Sequence, residues 1–305
     1  MLLARRPLLL AALGATLSAT ARALAGDPSK SKPLPTSTDL DVRDIQVTGD
    51  KALGQRFVLC VPKHLKPGEK VPLLVLLHGL GETGDQRTGA FAWAERYGLL
   101  TAYERLRKPP LARTAKRKDW TDTRLKEVNT SLTQQPFSGM AIACPYTPNV
   151  HKQPDPKAAL DKYTTWLTDV VIPRARKDAP VHTDAARTHI DGCSLGGYVA
   201  LEVFLRKPAV FGAFGGVQSA VSEFRAPGYA DRLATALTAA KKPVHLLTSE
   251  SDPFLPGNKK IAAALQKKSI PCELRVLPGP HDQPWLREAG TIEMLLWHDR
   301  RKKTP

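Results

Sequence analysis

The sequence lacks a long hydrophobic run, an internal repeat and a spacing of cysteines or histidines that would suit a metal. The apolar run at residues 8–17 is well short of the ~20 residues that a membrane-spanning helix needs. No period of roughly 20–50 residues recurs, which excludes solenoids and propellers. The spacings of the four cysteines suit no zinc site. We therefore expect no membrane span and no metal or other cofactor.

The N-terminus predicts an export signal. Arg5 and Arg6 stand before the apolar run, and the small residues Ala-Leu-Ala end at position 25. This order of charge, apolar segment and cleavage site is typical of a secretory signal peptide. The two arginines also resemble a twin-arginine signal. We predict a signal peptide at residues 1–25, a disordered lead-in at residues 26–39, and a secreted or periplasmic protein.

Acidic residues are scarce relative to basic ones. The chain has 29 aspartates and glutamates against 45 lysines and arginines, a formal net charge of +16. Much of the excess lies in residues 105–118 and 300–303. One interpretation is attraction to an anionic partner such as the cell envelope. The other is a solvated insertion and a frayed terminus, which we favour because no nucleic-acid-binding motif accompanies the charge. We expect no nucleic-acid partner.

Past residue 40, short apolar runs alternate with longer stretches of helical periodicity, the pattern of an α/β protein. The first two runs are typical of an antiparallel pair, and a later continuous run is typical of a strand covered on both faces. The predicted strands are 40–48, 56–61, 71–77, 139–144, 187–191, 211–218, 244–248 and 273–277. The predicted helices are 90–106, 156–177, 195–204, 229–240, 257–268 and 284–297. We expect one domain over residues 40–305, with a mostly parallel eight-stranded sheet and helices on both faces.

Residues 107–137 break this rhythm. They are charged and irregular, and they are too short and polar for a hydrophobic core of their own. We interpret them as an insertion within the 40–305 domain. We expect the insertion to lie beside the functional site and to form part of its wall.

The four cysteines raise the question of disulfides, because an exported protein meets oxidising conditions. Cys60, Cys144 and Cys272 fall in strand-like segments, and Cys193 falls in a turn between a strand and a helix. We place Cys60 and Cys144 at opposite edges of the sheet and Cys272 far from both. None of these pairs then has the Cα separation of ~4.4–6.8 Å that a disulfide requires. We predict four unpaired, mostly buried thiols.

The strongest chemical signal is the sequence G-C-S-L-G at residues 192–196. It follows a predicted strand and opens a predicted helix, which is the setting of a nucleophile elbow. In such a sharp turn the serine, Ser194, adopts a strained backbone angle. Gly192 and Gly196 lack the Cβ atoms that would collide there. We predict that Ser194 is a nucleophile.

A serine hydroxyl needs a base, and the base needs an acid to orient it. In this setting both partners follow the serine in the order acid, then histidine. His281 lies in a loop directly after the last predicted strand, whereas His298 lies in the final helix and is expected at the surface. For the acid we predict Asp252, which follows another strand, with Glu250 as the alternative.

The developing oxyanion needs two backbone N–H donors. One is expected from Leu195, the residue after the nucleophile, because it begins a helix. The other is expected from Leu80, in the H-G-L-G loop that follows the strand at 71–77. His78 opens this loop. We interpret it as a packing residue because it has no partner at metal-ligand spacing.

Several motifs resemble one esterase group of the α/β-hydrolases, which includes esterase D-like, feruloyl-esterase-like and enterochelin-esterase-like enzymes. They are L-H-G-L-G-E-T-G, D-G-C-S-L-G-G-Y-V-A-L, F-G-A-F-G-G-V-Q-S-A, S-D-P-F-L-P-G-N and L-P-G-P-H-D-Q-P-W-L-R-E. The resemblance covers residues 55–100 and 138–297. It implies an α/β-hydrolase fold and the same nucleophile, acid, base and oxyanion donors. It departs from the group's pattern at the 107–137 insertion and in the residues that flank Ser194.

The sequence therefore predicts an exported serine esterase that cleaves a carboxylic ester through an acyl-enzyme. Its substrate would be a small-molecule or glycan ester. An acyltransferase or a peptidase on the same scaffold is an alternative, and so is a non-catalytic protein that binds the envelope through its basic runs. Fold and catalytic residues do not fix the acyl or alcohol specificity.

Overall fold

The structure is a computed structural model that describes residues 32–238 and 241–303. From Pro35 onward the chain forms one compact unit. The predicted signal peptide at residues 1–25 lies outside the described residues. The lead-in is described only from Lys32, and from there to the first strand it has no helix or strand. Signal peptide and lead-in both stay predictions.

Within the described residues, eight strands form one sheet in the order β1-β2-β4-β3-β5-β6-β7-β8. β1 and β2 are antiparallel to each other, β2 is antiparallel to β4, and the remaining neighbours are parallel. The strands are β1 Leu40–Gln46, β2 Arg56–Pro62, β3 Leu73–Leu77, β4 Ala141–Pro145, β5 Thr188–Gly192, β6 Ala213–Val217, β7 Val244–Ser251 and β8 Cys272–Pro280. This confirms the predicted mostly parallel, eight-stranded sheet.

The apolar run of β3 explains its central place. All five of its residues are buried, and alternate side chains enter two separate hydrophobic clusters. Val75 packs in one cluster with Val199 of the helix that follows Ser194, whereas Leu76 packs in the other with Trp285 near the C-terminus. Successive strand residues point to opposite faces of a sheet. A strand that is apolar at every position must therefore be covered on both faces, as predicted.

Helices cover both faces of the sheet. They are α1 Gln86–Ala90, α2 Ala92–Glu95, α3 Leu99–Arg107, α4 Asp122–Gln134, α5 Pro156–Trp166, α6 Ile172–Asp178, α7 Leu195–Arg206, α8 Ala226–Thr238, α9 Leu255–Lys267, α10 Gln283–Trp285 and α11 Thr291–Asp299. The single helix predicted over 90–106 is wrong, because Gly98 adopts a φ of +74° and separates α2 from α3. Among the described residues, no helix is both long and apolar enough to cross a bilayer.

The sequence had suggested that the 107–137 segment is irregular throughout, but the structure shows a helix within it. This helix is α4, whose start is capped by Thr121: the Thr121 hydroxyl accepts a hydrogen bond from the Arg124 N–H at 3.0 Å. Val128 and Leu132 are buried one turn apart and join the hydrophobic cluster of Trp120. Leu125, partly buried, packs against the same cluster, so three apolar residues at helical spacing mark the inner face of α4. The helix was missed because the rest of the segment is polar and charged.

The basic run at 105–118 is largely paired with acids. Arg113 lies 2.6 Å from Asp122, and Arg117 lies 2.8 Å from Asp282. Arg105 lies 3.6 Å from the buried Glu288. The Arg117–Asp282 pair joins the insertion to the rest of the domain, and the Arg113–Asp122 pair lies within the insertion. This pairing favours the structural interpretation of the run.

The prediction of unpaired cysteines is confirmed. Cys60, Cys144 and Cys193 are buried and Cys272 is partly buried, all four as free thiols. Cys60 and Cys144 lie toward opposite ends of their paired strands, as predicted. The register opposes Cys60 to Ile142, two positions from Cys144 on the neighbouring strand. The strands are short, so residues near opposite strand ends still lie close together.

Candidate active site

Ser194 lies in the turn that joins β5 to α7. Its backbone has φ +53° and ψ −117°, a combination that costs energy for any residue with a Cβ. Two hydrogen bonds from the segment after β6 hold this peptide. The Ser194 N–H donates to the carbonyl of Val217 at 2.9 Å, and the Ala220 N–H donates to the carbonyl of Ser194 at 2.9 Å. The strained turn predicted from the sequence is therefore present.

The two glycines of the turn are required by close backbone approach. A Cβ on Gly192 would lie 2.5 Å from the backbone of Gly196. A Cβ on Gly196 would collide with the carbonyl oxygens of Leu77 and His78, at the end of β3. The turn can therefore sit directly against the neighbouring strand only if both positions lack a side chain.

His281 and Asp252 meet at the same edge of the sheet. His281 Nδ1 lies 2.8 Å from Asp252 Oδ1, and the carboxylate also accepts the Thr248 hydroxyl at 2.5 Å and the Phe254 N–H at 3.0 Å. The Asp252 side chain is fully buried, while the His281 side chain keeps 25% of its surface exposed. With Nδ1 donating to the carboxylate, Nε2 is left as the acceptor of the ring.

The structure brings Asp252 to the histidine, and not the alternative acid Glu250. Glu250 lies at an irregularity of the β7–β8 pairing, between Ser249 and Ser251, and its side chain is exposed. The bulge turns the strand end, and Asp252 follows it with a buried carboxylate.

Ser194 and His281 line one cavity of about 250 Å³. Its lining residues are Gly79, Leu80, Gly81, Glu82, Tyr97, Cys193, Ser194, Gln218, His281, Asp282, Gln283 and Leu286. A larger depression of about 610 Å³ near Lys242 and Lys268 contains none of the predicted site residues. The predicted site residues therefore meet at the smaller cavity.

Both predicted oxyanion donors lie next to the nucleophile. Leu195 is the first residue of α7, and Leu80 begins a 3-10 turn, Leu80–Glu82, that lines the cavity. The first N–H groups of a helix have no partner within it and carry its positive end. Such N–H groups, one on a residue that lines the cavity and one on the residue after Ser194, suit a developing negative charge.

His78 holds the loop that carries Leu80. Its Nδ1 lies 2.8 Å from the carbonyl of Gly79, and its Nε2 accepts the Thr147 N–H at 2.8 Å. Complete burial lowers the pKa of His78 to about 4, so the ring is neutral. This agrees with the packing role predicted for it.

Sequence reasoning missed the polar wall beside the oxyanion loop. The Glu82 carboxylate is 2% exposed and accepts hydrogen bonds from the Tyr97 hydroxyl and, at 3.0 Å, from the Gln283 amide. The Tyr97 hydroxyl in turn accepts the Gly79 N–H at 3.3 Å. Burial raises the pKa of Tyr97, which keeps its hydroxyl protonated. The only feature of the sequence that could have indicated this polar wall is the position of Glu82 within the H-G-L-G-E loop.

The 107–137 insertion does not supply a residue that lines the cavity, contrary to expectation. It reaches the site indirectly, since Arg117 contacts Asp282, the residue after the predicted base. Apart from Tyr97, the lining residues follow β3, β5, β6 and β8 along the chain. They meet because the carboxyl ends of parallel strands converge at one edge of the sheet.

His298 is not a surface residue. It is fully buried, with Nε2 at 2.9 Å from Asp191 Oδ2 and Nδ1 at 3.2 Å from Nδ1 of His189. The prediction failed because every residue of α11 is buried, so the polar residues of this helix are paired inside the protein. Among the described residues, no three histidine, cysteine, aspartate or glutamate side chains could hold a metal ion.

No protein-family model and no curated protein sequence matches the chain. Similar solved structures include a ferulic acid esterase, with a TM-score of 0.63 and 20% identity over 86% of this chain and 99% of that one. S-formylglutathione hydrolase from Staphylococcus aureus has a TM-score of 0.57 and 12% identity over 88% of this chain and 100% of that one. Enterobactin esterase from Shigella flexneri has a TM-score of 0.57 and 17% identity over 87% of this chain and 60% of that one.

These structures correspond to the three kinds of enzyme that the sequence motifs resemble. At such low identity the similarity concerns the fold. The sheet order, the turn at Ser194 and the loops after β7 and β8 agree with it. The chain therefore has the α/β-hydrolase fold, as the sequence resemblance implied.

Proposed function

We propose that this protein hydrolyses carboxylic esters through an acyl-enzyme on Ser194. The observation that carries the proposal is the 2.8 Å hydrogen bond between His281 and Asp252 beside the cavity that Ser194 lines. A serine on a strained turn, a histidine with one nitrogen tied to a buried acid, and N–H groups at one cavity form the set that acyl transfer needs.

The reaction follows from these positions. His281 Nε2 takes the Ser194 Oγ proton as the oxygen attacks the ester carbonyl carbon, and the N–H groups of Leu80 and Leu195 bind the oxyanion. The tetrahedral intermediate collapses, the C–O bond to the alcohol breaks, and His281 returns the proton to the leaving oxygen. Water then attacks the acyl-enzyme by the same route and releases the carboxylic acid. Asp252 holds the ring and stabilises its cation without taking the proton.

The similar structures support an ester substrate, because two of the three are named as esterases and the third as a hydrolase of S-formylglutathione. The cavity of about 250 Å³ is smaller than the ~300–1,000 Å³ of typical ligand pockets, which favours a short acyl group. With the signal peptide at residues 1–25, the enzyme would act outside the cytoplasm. N-terminal sequencing of the exported chain tests cleavage after Ala25.

Substitution of the nucleophile tests the proposal. Ser194→Ala is expected to lower turnover of p-nitrophenyl acetate by at least about 10³-fold, because no other group can carry the acyl chain. A fluorophosphonate should add once to the wild type and not to this variant, as measured by intact mass. Ser222→Ala, at an exposed serine, is the matched control and should keep full activity. Turnover retained in Ser194→Ala would contradict the assignment.

A further inference from the structure

Gln218 is a residue of the cavity to which neither the sequence analysis nor the mechanism above gives a role. It directly follows β6, is 2% exposed, and lines the same cavity as Ser194 and His281. Its backbone φ is +48°, in the left-handed region where a residue with a Cβ is uncommon. Glycine adopts this backbone conformation at a lower energetic cost than glutamine. The presence of glutamine therefore indicates that its side chain has a role here.

The Gln218 carboxamide joins the loops of the base and the acid. Its Nε2 donates to the carbonyl of Pro280 at 3.1 Å and to the Ser249 hydroxyl at 2.7 Å. Pro280 is the residue before His281, and the carbonyl of Ser249 accepts the Asp252 N–H at 3.1 Å. Both hydrogens of the amide are therefore used, one on each loop.

The backbone around Gln218 is tied to the nucleophile as well. The preceding residue, Val217, accepts the Ser194 N–H, and Ala220 donates to the Ser194 carbonyl. The Gln218 N–H donates to the carbonyl of Leu247 in β7 at 2.6 Å, which fixes the segment against that strand. A single short segment thus contacts the Ser194 peptide, the carbonyl of the residue before His281, and the end of β7 that leads to Asp252.

We propose that Gln218 is a positioning residue that fixes His281 relative to Ser194, an inference that rests on the proposed function. The carboxamide holds the Pro280–His281 peptide from one side. The positive φ of Gln218 directs its side chain between the two loops while the end of β6 keeps its hydrogen bond to the turn at Ser194. Such a backbone conformation is unfavourable and persists only where the surrounding structure holds it. Misplacement of a catalytic group by about 1 Å can lower the rate by about 10²-fold.

Two substitutions of Gln218 test the inference. Gln218→Leu keeps most of the volume but donates no hydrogen bond, and Gln218→Gly also relieves the positive φ. Both are expected to lower kcat for p-nitrophenyl acetate by about 10²-fold while KM stays within about threefold. Turnover is expressed per active site titrated with a fluorophosphonate, so that a loss of folded protein does not count as a loss of rate. Ser249→Ala removes one of the two contacts and should lower kcat by less.

Ser269→Gly is the matched control. Ser269 also has a positive φ, of +56°, but it is exposed in the turn after α9 and does not line the Ser194 cavity. Its kcat should equal that of the wild type. The inference would be overturned if both Gln218 variants kept kcat per titrated site within threefold of the wild type. A wild-type protein that neither reacts with the fluorophosphonate nor hydrolyses the ester would instead overturn the proposed function itself.

Discussion

Two carboxylate–histidine pairs in this chain have nearly the same hydrogen-bond distance, through different ring nitrogens, and very different surroundings. In one, Asp252 and His281 lie 2.8 Å apart at the edge of the sheet, and a quarter of the His281 side chain is exposed. In the other, Asp191 and His298 lie 2.9 Å apart in the interior, and neither side chain is exposed. Asp191 is three residues before Ser194, so both pairs lie close to the nucleophile in sequence or in space.

The comparison shows that the hydrogen bond alone does not make a catalytic base. Burial lowers the pKa of His298 to about 3 and raises the pKa of the Asp191 carboxyl, and both shifts favour a neutral pair. A neutral, enclosed imidazole cannot reach a substrate. His281 lines a cavity with a serine, so its second nitrogen can exchange a proton with a reacting group.

The largest effect on activity is expected at Asp252, the proposed catalytic acid. Asp252→Asn should lower kcat by about 10³–10⁴-fold, because the amide favours the wrong tautomer of His281. The unfolding midpoint should change little, since the amide still fits the site. Glu250→Gln, at the exposed neighbouring carboxylate, is the control and should keep full turnover of p-nitrophenyl acetate. Equal losses in both variants would argue against Asp252 as the acid.

The buried histidines predict a smaller effect on stability in acid. The pKa of His298 is lowered to about 3 and that of His78 to about 4, whereas an unfolded histidine titrates near pH ~6.5. A depressed folded-state pKa contributes stability that is present above pH ~6.5 and is lost as the pH falls toward the folded value. Each of these two shifts alone lowers the free energy of unfolding by about 3 kcal/mol between pH 7 and pH 4, and the raised pKa of the Asp191 carboxyl opposes part of this loss. Urea titrations should therefore show a net fall in the free energy of unfolding over this range. A free energy of unfolding that does not change between pH 7 and pH 4 would contradict the neutral state of the buried histidines.

The smallest effect is expected for Asp191→Asn, the same substitution at the buried pair. The Asp191 carboxyl accepts the Gly192 N–H at 2.6 Å through one oxygen and meets His298 through the other. An asparagine can accept the first and donate to the second, as a protonated carboxyl would. The free energy of unfolding should therefore change by less than about 1 kcal/mol, and kcat by less than about threefold.

Gly215→Ala is the contrasting variant for this pair. A Cβ on Gly215 would overlap Asp191 Oδ2 and lie 3.1 Å from His298 Nε2. Urea unfolding should show a loss of about 2 kcal/mol, as is usual for overpacking in a core. Gly228→Ala, where a Cβ meets nothing within 4 Å, should cause no loss. A strongly destabilised Asp191→Asn would show that the buried pair is charged.

Much of the fold and of the candidate site could be predicted because the signals are local. Strand β3 is apolar at every position, and the turn at Ser194 needs two glycines at fixed spacing. His281 and Asp252 each follow a strand directly, and parallel strands bring such positions to one edge of the sheet. The order of these residues along the chain is therefore enough to predict that they meet at one site.

The sequence by itself determined the strand pattern and the choice of Ser194, Asp252 and His281 as the candidate site, because these depend on backbone geometry over a few residues. Only the tertiary structure decided that His298 is enclosed, that α4 exists within a charged segment, and that Gln218 links two loops. His298 meets a residue 107 positions away, and Gln218 meets one 62 positions away. Such contacts depend on the packing of whole elements, and no local pattern in the chain records them.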